Sequence, residues 1–366
     1  MKALVLDCGS DSIKAGLSGD SEPSLLLSTN MALNKSHESK IGNIGQERRD
    51  ILRLNCPINR GFITNWNDME KIWSFVFDEI KVDPDNQPIF LSESPCCSRS
   101  QRERITELMF EKFTVPSMSM QLQSVLSMLS TGLESGIIVE CGDGLTQILP
   151  MFKNLAVSNA FARIELGGTD LSDYLFNLMN AKESVIPNRN VSKEIKEKFC
   201  YVSTDIKNES KAPSEKLSAC LDYNLPDGKT LSISKERFLV PEALFDPSSI
   251  GFLLPGIHQV CLKATKKCET NIQKSLFENI VVTGGTTLLP GFTERFQKEM
   301  KKIAPWRTSV KVTLHPKPKY SAWLGGSILT SLPNFENILI HKKDYDEFGS
   351  WVIQKKTNFF ASFVGN

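Results

Sequence analysis

Apolar residues open the chain as a short block, Ala3-Leu4-Val5-Leu6, which stops at Asp7-Cys8-Gly9-Ser10 and resumes as Ile13-Lys14-Ala15-Gly16-Leu17. Two strand-like runs separated by Gly and Ser predict a hairpin with the acid and the Gly-Ser pair at its tip. The design returns a domain's length later. Gly136-Ile137-Ile138-Val139 reaches Glu140-Cys141-Gly142-Asp143-Gly144, and Leu145-Thr146-Gln147-Ile148-Leu149 runs back. Apolar strand, acid, Cys, Gly and polar residue thus occur twice in that order, with Asp7 and Glu140 in matching places. The repeat suggests two lobes on one plan, each offering a Gly-rich tip, against the plainer reading of two β-turns that both use glycine.

A third glycine-rich tip has a different setting. Asn279-Ile280-Val281-Val282-Thr283 predicts a strand and Gly284-Gly285-Thr286-Thr287 a turn. The spacing of Phe292, Phe296 and Met300 predicts a helix, with Thr293 near its start. A Gly-Gly loop between strand and helix lets backbone N–H groups approach an anion or a flat ring. A fourth pair, Gly167-Gly168, precedes an amphipathic helix ending near Met179. Residues 68–80 predict a helix with Trp73, Val76 and Phe77 inward, and 99–113 another with Ile105, Leu108 and Met109 inward. The polar stretches 30–49, 187–190 and 207–218 read as surface loops. Strands and helices alternate through both halves, which predicts α/β lobes with mixed sheets.

Composition acts mainly by exclusion. The 366 residues suffice for more than one domain. A formal net charge of +1 gives no bulk case for nucleic acid or an anionic membrane. The nine cysteines contain no Cys-x-x-Cys pair, and His37, His258, His315 and His341 stand alone, so no zinc ligand set is visible and reduced, buried thiols are expected. The first apolar run meets an acid at Asp7, too early for a secretory leader, and no run approaches the ~18 apolar residues of a membrane span. The expected location is cytoplasmic, in the cytoskeleton, or nuclear.

Longer tracts resemble the actin family over essentially the full length. They are Ile63-Thr64-Asn65-Trp66-Asn67-Asp68-Met69-Glu70-Lys71-Ile72-Trp73, Ile195-Lys196-Glu197-Lys198-Phe199-Cys200-Tyr201-Val202, Leu225-Pro226-Asp227-Gly228, Gly284-Gly285-Thr286-Thr287 and Lys319-Tyr320-Ser321-Ala322-Trp323-Leu324-Gly325-Gly326-Ser327-Ile328-Leu329, in the family's order. The resemblance implies an α/β, actin-like two-lobe ATPase fold, each lobe a mixed β-sheet flanked by helices, with a nucleotide cleft between. It implies a first lobe over 1–129 with a small subdomain at about 26–55, a second over 130–330 with a small subdomain at about 170–255, and a C-terminal segment 331–366 returning to the first lobe.

The resemblance also implies roles. Asp7 matches the carboxylate that holds Mg2+ or Ca2+, mostly through waters. Gly9 and Ser10 match the first phosphate hairpin of a bound ATP or ADP, Asp143 and Gly144 the second, and Lys14 the lysine that reaches the phosphates. Gly168, Lys196, Glu197, Gly284, Gly285 and Lys319 match positions around the adenosine. The chemistry agrees, because Mg2+ keeps several waters and needs only one or two carboxylates beside phosphate oxygens.

Four departures bear on mechanism. Asp11 stands where the family has a glycine. At ~4 Å its repulsion of a phosphate is about 1 kcal/mol in water and about 4 at an effective dielectric of 20. Affinity then falls from several-fold to nearly a thousandfold, unless Asp11 turns to solvent or pairs with Lys14. Second, the family places its hydrolytic water with Gln, Asp and His. Gln123 matches the Gln, but Glu140 replaces the Asp and Gln147 the His, so hydrolysis is expected to be slow or absent unless Glu140 and Gln147 compensate one another. Third, residues 26–51 are shorter than the actin counterpart by about ten, taking much of the loop that inserts into the next filament subunit, and 35–44 are polar. Filament formation loses support; capping and lateral binding do not. Fourth, the family's acidic N-terminal tail has no match here, and 355–360 lead into a short apolar stretch, 361–364, that reads as a partner anchor or a locally packed tail.

The expected function is therefore a structural cytoskeletal subunit that keeps ATP as a structural ligand. Its expected partners are proteins, actin or other actin-related proteins among them, with no direct nucleic-acid contact and no membrane insertion. The Gly284–Gly291 stretch is similar to that of testis-type actin-related proteins. Alternatives are a polymerising ATPase with a nucleotide cycle, a nuclear subunit of a chromatin-remodelling complex, which the lack of long insertions opposes, and a small-molecule kinase, for which no catalytic Asp or sugar pocket is marked.

Overall fold

The computed structural model describes residues 2–33, 39–40, 53–94, 97–181, 186, 188–211, 221–225 and 228–357. Two large sheets organise them, and each grows from one of the hairpins. Leu4–Cys8 pairs antiparallel with Ser12–Leu17, setting Asp7 opposite Lys14, and runs parallel to Ile89–Glu93, which runs parallel to Ser117–Leu122. Leu25–Ser28 adds to one edge and Ile340–His341 to the other, so the chain's last described region returns to its first sheet. The second sheet repeats the plan. Gly136–Cys141 pairs antiparallel with Thr146–Phe152, setting Glu140 opposite Gln147, and runs parallel to Ile280–Thr283 and through it to Val312–Leu314. The first strands of both plans, Leu4-Val5-Leu6 and Ile137-Ile138-Val139, are completely buried, as central strands covered on both faces must be.

Helices cover these faces where the apolar spacing directs them. Trp66–Ile80 starts at Asn65, whose side chain accepts from Asp68 N–H, and ends at Lys81 in the left-handed region (φ 59°). Met69, Ile72, Trp73, Val76 and Phe77 form its buried stripe. The helix expected over 99–113 is α-helical only over Arg99–Glu107 and widens to a π-turn over Leu108–Lys112. Phe113 N–H reaches back to Leu108 O, and the wider turn brings Leu108, Met109 and Phe110 inward together. It also sets Phe113 against Trp73 and Phe77, with ring centroids 6.3 and 5.2 Å away.

Three stretches read as loops carry regular structure. Asn188 caps the helix Arg189–Phe199 by accepting from Asn190 and Val191 N–H at 2.9 and 3.1 Å, so 189–190 are its first turn. Residues 207–211 belong to the helix Ile206–Lys211. Within 30–49, Met31–Leu33 and Ser39–Lys40 form a small sheet with Arg53–Asn55. Polarity hid all three, because a solvated helix or strand need not show an apolar period. The remainder of these stretches (34–38, 41–49, 187, 212–218), with Pro226, Asp227 and the apolar stretch 361–364, lies outside the described residues.

Two helices join the sheets. Gln123–Leu129 leads out of Ser117–Leu122 toward the second sheet, and Ser321–Leu329 packs across it. The approach is closer than side chains allow elsewhere: a Cβ on Gly325 would stand 1.9 Å from the Leu126 carbonyl oxygen, and one on Gly326 2.8 Å from Val5. Trp323, fully buried, donates to Val5 O at 3.1 Å, and the hydroxyls of Ser127 and Ser321 lie 2.9 Å apart. Gly325→Ala should force this crossing open and cost about 1–3 kcal/mol. Its melting temperature is expected to drop clearly, while Gly285→Ala, whose new Cβ meets nothing nearer than Lys319 at 3.9 Å, melts like the unsubstituted protein.

Candidate functional site

The tips of the two hairpins face one another across a cavity of about 340 Å³ between the sheets. Asp7, Gly9, Ser10, Lys14, Gln123, Glu140, Asp143, Gly144, Gln147, Lys196, Glu197, Gly284, Gly285 and Lys319 all line it. Gly168 does not. It sits behind the second tip, where a Cβ would stand 2.9 Å from Asp143 Oδ1 and 3.1 Å from Lys196 Nζ. Its carbonyl accepts from Lys196 Nζ at 2.7 Å, so the missing side chain is what lets that lysine and the tip close together.

Asp7, next to last in its strand, is only 4% exposed and fully engaged. Its Oδ1 accepts from Ser92 Oγ at 2.5 Å and Gln123 Nε2 at 2.9 Å, and Lys14 Nζ lies 3.3 Å from Oδ2. Burial works against the Lys14 ammonium, but Asp7, followed by Asp11 and Glu140, outweighs it and leaves its pKa raised. Asp11 does not pair with Lys14, because strand register holds that lysine opposite Asp7. It pairs instead with Lys193, from the helix Arg189–Phe199 of the other lobe. Burial pushes the Asp11 pKa up, but Lys193 overrides it and the net shift is down.

Of the three residues expected to place a water, two bond to each other. Gln147 Nε2 donates to Glu140 Oε2 at 2.7 Å across their shared register, while Gln123 is held by Asp7. Burial, with a smaller push from Asp7, raises the Glu140 pKa from 4.5 to about 8 against the pull of Lys14 and Gln147. Gln147 Oε1 is buried with no partner, as is Ser94 Oγ, and both residues line the cavity. Turning the Gln147 amide would let a protonated Glu140 donate to Oε1, and would leave the amide nitrogen as the spare group instead.

These features fit a nucleotide and a hard cation. The Ser94 hydroxyl and backbone N–H groups at two glycine tips can donate to phosphate oxygens, whereas Gln147 Oε1 can only accept; Gly285, where a Cβ would meet nothing nearer than Lys319 at 3.9 Å, leaves room for a flat ring. Asp7 would hold the cation's side of the site. Among the described residues no three His, Cys, Asp or Glu side chains converge, so such a cation would take most of its ligands from phosphate and water. The seven cysteines among the described residues are free, and burial pushes Cys8, Cys97, Cys141, Cys200 and Cys261 up to about 12, leaving thiols rather than reactive thiolates.

Several site residues escaped the sequence reading: Ser92, Ser94, Arg60, Asp170, Thr169 and Lys193. Thr169 Oγ1 donates to Asp143 Oδ2 at 2.6 Å and Thr286 Oγ1 to Gly142 O at 2.8 Å, bracing the second tip. The Leu166-Gly167-Gly168-Thr169-Asp170 tract carried a signal for Thr169 and Asp170; nothing local marked Ser92 or Lys193.

The raised Glu140 carboxyl makes stability depend on pH. Between 4.5 and about 8 the folded chain keeps a proton that the unfolded chain has released. The folded state therefore binds more protons, and stability falls as pH rises through that window. Urea unfolding at about pH 5 and about pH 8 should show this loss, and Glu140→Gln, which has no proton to release, should reduce it.

The Actin family model matches residues 1–358. Actin-family proteins generally bind ATP or ADP with a divalent metal and enter protein–protein assemblies. With two sheets on one plan, paired hairpin tips facing a shared cavity and a match spanning nearly every residue, the chain belongs to the actin family.

Proposed function

We propose that this chain is a structural subunit of a cytoskeletal assembly that binds ATP or ADP with Mg2+ or Ca2+ between its lobes and hydrolyses it slowly or not at all. The observation that carries the reading is the hydrogen bond from Gln147 to Glu140. In-line attack on a terminal phosphate needs one water fixed in place and a group to receive its proton. The amide has no basic nitrogen to offer, and its partner carboxyl already favours the protonated form. Lys14 and the backbone of Gly9, Ser10, Asp143 and Gly144 would hold the phosphates. Lys196, Glu197, Gly284, Gly285 and Lys319 would border the adenosine, and the cation would supply charge neutralisation.

A ligand held without turnover stabilises the fold by RT ln(1 + [L]/Kd), about 2.7 kcal/mol at a hundred times Kd. Partners of this reading are proteins, actin or other actin-related proteins, and its place is the cytoplasm and cytoskeleton, with the nucleus as a second location. The Gln123–Asp7 hydrogen bond favours a second reading, a polymerising ATPase, since it keeps one element of the water-placing set together.

Purified protein incubated with ATP and Mg2+ should hold nucleotide, and Lys14→Met should weaken it by about tenfold to a hundredfold. Single-turnover phosphate release should rise at least about tenfold in Gln147→His, which restores a proton acceptor. Release by the unsubstituted protein that accelerates with protein concentration would favour the polymerising ATPase and sink the structural reading.

A further inference from the structure

Two ion pairs cross the cleft, and both partners of each belong to the chain itself. Arg60 sits in the turn between Ile58–Asn59 and Phe62–Ile63, at φ 47°. Its guanidinium grips both oxygens of Asp170 at 2.7 and 3.3 Å and donates to the Gly144 carbonyl at 3.0 Å. Asp170 is buried and already fixed by the Gly167 N–H at 2.8 Å, so it cannot follow a moving partner. The neighbouring Gly61 N–H donates to Ser10 Oγ at 3.3 Å. One turn thus holds the first phosphate hairpin through Ser10 and the second through Gly144. The second pair is Asp11 with Lys193. Asp11 lines the inner cavity, Lys193 lines an outer one of about 700 Å³, and the pair stands between them.

The placement of these pairs gives them leverage. The joining helices border the inner cavity through Ser321 and Ala322, whereas Arg60 and Lys193 border the outer one. Lobes joined only at a hinge can rotate about it, and contacts on the far side of the cleft resist that rotation most effectively. A bidentate arginine–carboxylate pair with one buried partner is the strong kind of ion pair, both in energy and in fixing orientation.

We infer that Arg60–Asp170 and Asp11–Lys193 clasp the lobes, so that the cleft stays shut with no nucleotide in it and a ligand passes from the outer cavity to the phosphate hairpins only when Asp11 and Lys193 part. This goes beyond the proposed nucleotide binding and stands whether or not ATP is the ligand.

Small-angle X-ray scattering of the full chain, stripped of nucleotide with EDTA and gel-filtered, tests it. The unsubstituted protein should give the same compact profile with and without ATP and Mg2+. Arg60→Met combined with Lys193→Met should expand when stripped. Should that variant fail to fold by circular dichroism, Arg60→Gln with Lys193→Gln, which removes both charges and keeps polar side chains, decides. It should expand when stripped, and restoring Arg60 alone should return most of the compaction. An expanded stripped protein, or substituted proteins that scatter like the unsubstituted one, overturns the clasp. A second reading comes from a fluorescent ATP analogue, which should leave Lys193→Met at least about tenfold faster; unchanged release overturns the gating role. Absence of analogue binding overturns the proposed nucleotide function instead, and scattering then still decides the clasp.

Discussion

The contact of Gly325 with the Leu126 backbone sets the geometry of the cleft. Two helices cross there with no side chain between them, and the two sheets are carried at fixed distance on either side. Serine and threonine hydroxyls bind the crossing: Ser127 to Ser321, and Thr283, at the end of a second-sheet strand, to Ser321 at 2.7 Å. Glycine and small hydroxyl residues are the groups that permit close backbone approach and still satisfy buried polar atoms. Because Thr283 lies beside Gly284-Gly285, and Leu122 leads straight into Gln123, the crossing also places that glycine turn and the Gln123 amide at the cavity. A shift at the hinge moves several site residues together.

On that frame the two hairpins, alike in sequence, become chemically different. Asp7 finds a hydroxyl, an amide and an ammonium around it, three donors that suit a carboxylate. Glu140, in the matching place, finds one amide and mostly buried surroundings, and its pKa rises to about 8. One plan therefore yields an acid suited to facing a cation and an acid that tends to keep its proton. The longer glutamate and the Gln147 opposite it belong to one local exchange: they fit each other, and each leaves the other less free to hold a water.

What the sequence made legible was what depends on neighbours along the chain. Alternating apolar runs and glycine tips marked both hairpins, and the tract from Lys319 to Leu329 marked the returning helix. Ser92 reaches Asp7 only because Ile89–Glu93 lies parallel to Leu4–Cys8, a pairing no local pattern specifies. Lys193 is one charge among several on the helix Arg189–Phe199, and its partner comes from the opposite lobe. The π-turn after Glu107 was hidden for another reason: its inward residues satisfy an α-helical spacing as well, and only the packing of Phe113 on Trp73 and Phe77 calls for the wider turn.

Asp11 shows how the site's electrostatics and its mechanics are joined. Alone on a hairpin that is to hold phosphate, it would repel an incoming nucleotide. Paired with Lys193 its charge is offset, yet the lysine that offsets it is drawn toward the carboxylate and away from any phosphate. The substitution therefore exchanges one kind of cost for another: less direct repulsion, but a cross-lobe contact that must yield before the hairpins can be reached from that side. Arg60 strengthens the same bias, since it holds the second tip by its Gly144 carbonyl while its neighbour holds the first by Ser10. With Glu140 and Gln147 bonded to each other, closure that resists opening suits the proposed subunit that keeps its shape better than one that cycles.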